Sequence, residues 1–186
     1  MPSPEQVGDL EFHRTPQVPG FTGKLPVLRD LASVRGTRKS LLRLAHELKP
    51  DVIHSHSPVL NALAAIPVGR KLGIPVIYEI RAFWEDAAAA NGQTREGSPR
   101  FVLTRMMEDH AMRRADAVTT ICEGLRGDIT SRGIPDDKVT VIPNAVDVDG
   151  FRFGVPADPA LQQRLGLVGC TVIGFAGGSE PDSGGG

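Results

Sequence analysis

The chain has 186 residues, and its 21 lysines and arginines against 22 aspartates and glutamates leave a formal net charge of −1. This balance excludes a basic nucleic-acid-binding domain and is typical of one soluble globular domain. No window approaches the roughly 18 apolar residues of a membrane span, and the N-terminus lacks a signal-peptide pattern. We therefore expect a cytoplasmic location.

Short apolar runs alternate with helically spaced apolar residues over most of the chain. After a weak strand over 10–14, the pattern predicts helices over 31–48, 60–72, 98–115 and 124–131, and strands over 51–56, 74–80, 117–122 and 138–142. The strand over 74–80 is so apolar that we expect it to be covered on both faces. Such alternation predicts an α/β fold class, a Rossmann-like parallel sheet with flanking helices.

The last part of the chain is predicted to open a second unit. A short helix over 160–165 precedes the apolar run CTVIGFA, which predicts a buried strand over 170–176. We therefore expect a first lobe over 1–166 and the truncated start of a second lobe over 167–186. Cys122 and Cys170 lie far apart in apolar runs and are predicted to be buried free thiols.

Two histidines, His54 and His56, lie at the end of the predicted strand DVIHSH. Because side chains alternate along a strand, both point to the same face. A structural role stays open, with one imidazole capping the strand end and the other packed in the core. A metal site needs further ligands, and no Asp-His pair follows, so we expect none. A substrate contact fits the position better, because ligands bind beyond the carboxyl ends of such strands.

The next strand ends in YEIRAFWED, which contains the only tryptophan and the only tyrosine of the chain. Glu79 and Arg81 are spaced to form a salt bridge with each other. Arg81 also offers a planar fork that suits a phosphate or carboxylate of a ligand. Arg81 is therefore a candidate ligand-binding residue.

Two further candidates, Glu123 and Asn144, follow the last two strands of the predicted sheet. In ICEGL a strand turns into a helix whose free N–H groups suit an anion, whereas Glu123 equally suits a capping role. In VIPNAVD, Asn144 is typical of a tight turn. No dinucleotide, P-loop, serine hydrolase or zinc-finger motif occurs in the chain.

Taken in order, KPDVIHSHSP, IPVIYEIRAFWED, ADAVTTICEGLRGDI and KVTVIPNAVDVDGF resemble the N-terminal half of GT-B fold glycosyltransferases of family 4, group 1. The stretches RAFWED and REGS are most similar to members associated with bacterial exopolysaccharide and exosortase gene clusters. The resemblance implies retaining transfer of a sugar from a nucleotide-sugar donor to a glycan or lipid-linked acceptor, without a metal or other cofactor. The segment 1–166 would be the acceptor-side Rossmann-like lobe, lacking its first strand, of an incomplete GT-B fold.

The resemblance also implies roles for individual residues. His56, with His54 as second choice, would lie near the reacting carbon of the donor sugar. The transition state is oxocarbenium-like, so positioning and charge stabilisation are expected to matter more than a protein nucleophile. The other candidates would border the acceptor pocket (Glu79, Arg81 and Trp84) or order the cleft (Glu123 and Asn144).

The chain departs from the family pattern at both ends. It lacks the initial strand with its glycine-rich loop, and also the Arg/Lys pair and Glu-x7-Glu motif of the donor-binding lobe, so we expect it to be nearly inactive alone. A non-catalytic Rossmann-like binding module and a GT-B sugar-nucleotide epimerase fragment stay open as alternatives. A peripheral membrane contact also stays open, through basic residues of the first helix, namely Arg35, Arg38, Lys39, Arg43 and Lys49.

Overall fold

A computed structural model describes residues 4–15, 26–86, 92, 95–150, 154 and 156–173. Residues Met1–Asn144 and Ala145–Gly186 form two compact units. The first unit contains an antiparallel hairpin and a four-stranded parallel sheet. The parallel α/β arrangement predicted from the sequence is confirmed, whereas the lobe boundary at 166 and 167 stays a prediction.

The hairpin consists of β1 (Glu5–Val7) and β2 (Leu10–Phe12). The strands of the parallel sheet are, in spatial order, β3 (Ile53–His56), β4 (Val76–Ile80), β5 (Ala117–Thr120) and β6 (Val139–Val141). The helices of this unit with both ends in the described residues include α1 (Pro26–Leu48), α2 (Val59–Leu72), α3 (Pro99–Arg114) and α4 (Glu123–Ser131). A 3-10 turn, Asp136–Lys138, leads into β6.

Local sequence signals explain where two of these helices begin and end. The Ser98 hydroxyl accepts a hydrogen bond from the Phe101 amide at 3.3 Å and so caps the N-terminus of α3. Helix α2 ends at Gly73, whose φ of 71° is left-handed and favours glycine. The predicted helix boundaries at 98 and 72 are therefore confirmed to within one residue.

The two faces of the sheet differ in exposure. In β3 the first and third residues are buried while His54 and His56 are exposed. In β4 Ile77 and Glu79 are only half-buried, so the prediction that this strand is covered on both faces is wrong. Strands in sequential order with right-handed crossovers place every connecting helix on the same side, which accounts for the open face.

The hydrophobic core lies between the other face of the sheet and the helices. It extends from Ala45 in α1 to Val139 in β6. Its larger buried side chains are Ile53, Ile66, Val68, Val76, Tyr78, Ile80, Phe83, Met112, Val118, Ile129 and Ile134. This packing fixes the strands whose ends carry the candidate residues.

The second unit contains the helix α5 (Pro159–Leu165), which Asp158 caps by accepting from the amides of Ala160 and Leu161. None of its described residues is buried. The buried strand predicted over 170–176 is wrong for 170–173, which are exposed and unpaired, because no neighbouring strand covers them within the described chain. Residues 174–176 lie outside the described residues.

The cysteine prediction is only half right. Cys122 and Cys170 are both free, as expected, but both are exposed. Cys122 precedes the first residue of α4, and Cys170 lies in the second unit, where burial is sparse. Among the helices of the described ranges, none combines the length and hydropathy needed to cross a bilayer.

Candidate functional site

His54 and His56 project side by side from the open face of β3. Their ring centroids are 4.4 Å apart and the rings are tilted by 30°. The side chain of His54 is 40% exposed and that of His56 is 49% exposed. The predicted common orientation of the two imidazoles is confirmed, and neither is packed in the core.

Glu79 brings the neighbouring strand into contact with both histidines. The parallel register sets His56 opposite Glu79, which places the carboxylate beside the imidazoles. Its Oε2 lies 3.0 Å from Nε2 of His54 and 3.2 Å from Nδ1 of His56. The carboxylate is only 15% exposed and therefore links the two strands at their carboxyl ends.

Arg81 completes this group from the end of β4. Its Nε donates to Oε1 of Glu79 at 2.7 Å, which confirms the salt bridge predicted between them. The side chain is 58% exposed, so the guanidinium reaches solvent beyond the pair. We call His54, His56, Glu79 and Arg81 the strand-end cluster.

The electrostatics of the strand-end cluster keep Glu79 ionised. Partial burial acts to raise the pKa of this carboxyl, but Arg81, His56 and His54 outweigh that effect and hold the pKa below its ordinary value. The cluster therefore contains an ionised carboxylate at neutral pH, and nitrogen atoms of His54, His56 and Arg81 surround it.

Two polar residues that the sequence analysis missed hold the backbone around the cluster. Asn61, in the first turn of α2, donates from Nδ2 to the carbonyl oxygen of His56 at 3.1 Å. Ser57 donates its amide to the carbonyl oxygen of Glu79 at 2.9 Å, and its hydroxyl lies 3.5 Å from the amide of Arg81. For Asn61 the sequence did offer a signal, because it is a polar residue in the first turn of a helix that directly follows a strand.

The same geometry bears on metal binding. His54, His56 and Glu79 offer ligand atoms that all lie within 4.8 Å of one another, the spacing at which three side chains could hold a transition metal. Arg81 opposes this, because its guanidinium already pairs with the same carboxylate and would repel a dication. The expectation that no metal is required stays a prediction.

The remaining candidates are Trp84, Glu123 and Asn144. Trp84 is 50% exposed, three residues beyond Arg81 in the chain. Glu123 is the first residue of α4 and pairs with Arg126 at 3.7 Å, while Asn144 is exposed beyond β6. Within the described residues, no hydrogen bond or ion pair joins these three to the histidines. Cys122, not Glu123, occupies the capping position of α4, although an acidic first turn still favours the helix dipole.

Comparison with known proteins gives the site a context. Residues 2–145 match the family described as "Glycosyl transferase 4-like domain". No curated protein is significantly similar to the chain. Among solved structures, Anabaena Alr3699/HepE in complex with UDP-glucose is 17% identical over 71% of this chain and 33% of that chain, with a TM-score of 0.51.

A second structure of the same Anabaena protein, in complex with UDP, is also 17% identical, over 69% of this chain and 32% of that one, again with a TM-score of 0.51. At this level of identity the likeness shows the fold alone. The chain spans about a third of the length of these solved structures.

Proposed function

Because the chain belongs to the glycosyl transferase 4-like domain family, we propose that it is the acceptor-side lobe of a retaining glycosyltransferase. The observation that carries this proposal is the strand-end cluster, where two neighbouring parallel strands end and ligands of such sheets bind. The reaction would move a sugar from a nucleotide-sugar donor to a glycan or lipid-linked acceptor. Synthesis of a bacterial exopolysaccharide or cell-surface polysaccharide is the process we assign to it.

The proposed catalytic residues are His56 and, second to it, His54. An exposed imidazole at a strand end can hydrogen-bond a hydroxyl of the donor sugar and hold the reacting carbon in place. When protonated it also adds positive charge beside the departing diphosphate, where charge develops in the transition state. No nucleophile is assigned, and no metal ion is required in this scheme.

The acceptor pocket is proposed to lie beside Arg81 and Trp84, with Glu79 at its base. The exposed guanidinium suits a phosphate or carboxylate, and the exposed indole offers a flat apolar surface for a sugar ring. Glu123 and Asn144 would order the cleft from the ends of the next two strands. These assignments extend the family relationship to single residues of this chain.

A nucleotide sugar is the proposed donor class. The complexes of the Anabaena protein with UDP-glucose and UDP support this choice. A cytoplasmic location at the inner face of the membrane is proposed with it, because α1 exposes Arg35, Arg38 and Lys39 to anionic lipid. Since the chain spans about a third of that protein, we also propose that it transfers little sugar by itself.

Trp84 makes the proposed function testable, because it is the only tryptophan and is half exposed. We expect its fluorescence to change when the purified chain is titrated with a prenyl-diphosphate-linked sugar, and the response to weaken in Arg81→Ala. Glu47→Ala, which breaks an exposed pair in α1, should respond like the wild type.

A parallel assay would measure transfer of radiolabelled glucose from UDP-glucose by the same preparation. An absent fluorescence response to the prenyl-diphosphate-linked sugar would contradict the acceptor site. Binding of the acceptor without transfer of glucose fits the proposed acceptor-side lobe. Rapid transfer of glucose would contradict the proposal that this chain has little activity by itself.

A further inference from the structure

We propose that Glu79 is a positioning residue that fixes the tautomer of His56 and leaves Nε2 as the nitrogen that faces the substrate. The nitrogen of His56 nearest the carboxylate is Nδ1, 3.2 Å from Oε2 of Glu79. An ionised carboxylate only accepts hydrogen bonds, so a hydrogen bond across this distance requires the proton on Nδ1. The identity of the substrate that Nε2 faces rests on the proposed function.

The partners of Glu79 distinguish this role from direct acceptor binding. Oε2 faces both imidazoles and Oε1 faces the Nε of Arg81, so three nitrogens lie within 3.2 Å of a carboxylate that offers roughly four acceptor positions. The side chain is also only 15% exposed. A carboxylate with these partners acts on a ligand through His56 and Arg81 rather than by contact.

The two histidines present opposite nitrogens to Glu79, and this singles out His56. In His54 the nitrogen that contacts Glu79 is Nε2, at the tip of the ring, so this nitrogen already has a partner. His56 approaches with Nδ1, so the tip of its ring stays available. His56 is the last residue of β3 and 49% exposed, and within the described residues no hydrogen bond or ion pair occupies its Nε2.

The surrounding backbone makes this orientation rigid. The carbonyl oxygen of His56 accepts from Asn61, and the amide of Ser57 donates to the carbonyl oxygen of Glu79. The Ser57 bond and the side-chain contact thus tie the two strand ends to each other, while Asn61 anchors the end of β3 to α2. A neutral His56 held in this way offers a lone pair at Nε2 that accepts a hydrogen bond from a sugar hydroxyl.

Long-range ¹H–¹⁵N spectra of the histidine side chains of this chain test the inference directly. At a pH where the imidazoles are neutral, and with EDTA present, we expect wild-type His56 to carry its proton on Nδ1. Glu79→Gln keeps an acceptor oxygen and should keep this tautomer, whereas Glu79→Ala should reduce the Nδ1–H fraction several-fold. The exposed Glu47→Ala is the control and should match the wild type.

The signal of His56 is identified by its loss in His56→Gln, and circular dichroism checks that each variant folds. A wild-type His56 protonated at Nε2, or a tautomer unchanged in a folded Glu79→Ala, would overturn the inference. This readout needs no turnover, so it separates the inference from the proposed function. A confirmed tautomer without any response of Trp84 to the acceptor would leave the positioning role in place and remove the proposed substrate.

Discussion

At the scale of single residues, the opposite side of β4 from Glu79 holds a buried polar cluster. The hydroxyl of Tyr78 donates to Glu108 at 2.7 Å, and Arg132 lies 2.8 Å from Glu85 and 3.6 Å from Asp109. Asp86 lies 3.9 Å from the same guanidinium, so within the described residues Glu85, Asp86 and Asp109 share Arg132. Burial, together with the charge of Glu85, raises the pKa of Glu108 from 4.5 to about 7, against the opposing hydrogen bond from Tyr78.

This cluster predicts a pH-dependent stability. Because the folded-state pKa of Glu108 lies above its unfolded value, its contribution is fully present below pH 4.5 and is lost as pH rises through 7. Urea denaturation should show the free energy of unfolding falling by about 2–3 kcal/mol between pH 5 and pH 8 in the wild type relative to Glu108→Gln. If the free energy of unfolding depended on pH in the same way in the wild type and in Glu108→Gln, the raised pKa of Glu108 would be contradicted. The control variant Glu47→Gln should retain the wild-type dependence of this free energy on pH.

Part of the strand-end cluster could be predicted residue by residue. The alternation of a strand puts His54 and His56 on one face, and the spacing of Glu79 and Arg81 pairs them; both are confirmed. The contact of Glu79 with both imidazoles was not predictable, because it depends on the register between β3 and β4. That register is set by packing on the buried face, which no local pattern of the sequence contains.

At the scale of elements, α2 packs closely against the turn and the strand that follow it. A Cβ added at Gly69 would lie 2.6 Å from the carbonyl oxygen of Ile74 and would also overlap Val76. Because a backbone atom cannot move aside as a side chain can, glycine is required here by space. Gly36, inside α1, has nothing within 4 Å of the same position.

These two glycines form a matched pair for mutation. Gly69→Ala should lower the free energy of unfolding by about 1–3 kcal/mol through overpacking. Gly36→Ala should raise it by about 0.5–1 kcal/mol, because alanine loses less backbone entropy in a helix. Urea denaturation of both variants decides the matter, and equal effects of the two substitutions would contradict the close packing of α2.

Elements were predictable where the sequence carries a physical signal for them. The helix boundaries predicted at 98 and 72 lie within one residue of the observed ones, where Ser98 and Gly73 mark the helix ends through their hydrogen-bonding and conformational properties. β1 was missed because its residues, Glu5–Val7, are exposed and show no apolar pattern. The apolar run over 170–176 failed in its described part, because a strand also needs a neighbour and hydrophobicity alone does not supply one.

At the scale of the whole molecule, the buried core is confined to the first unit. Every buried hydrophobic residue of the described chain lies between Ala45 and Val139. The family match likewise ends at residue 145. The described residues beyond Asn144 therefore contribute no buried hydrophobic side chain.

A chain that ends at Asn144 should consequently unfold with the same urea midpoint as the 186-residue chain. A chain that ends at Gly133 is the matched control, since it loses Ile134, Val139 and all of β6 from the core. We expect it to lose cooperative unfolding. A large drop in midpoint for the longer truncated chain would show that residues 145–186 support the first unit.

The order of the strands has a consequence for how the chain is made. β3, β4, β5 and β6 are neighbours in the sheet in the same order in which they are synthesised. Each of these strands can therefore pair with the strand that was synthesised just before it. Each newly emerged helix and strand can add to the edge already formed, and loop closure stays between successive segments. The growing sheet would thus assemble from its N-terminal strand towards its C-terminal strand during translation, and the carboxyl ends that form the strand-end cluster would meet as soon as β4 is complete.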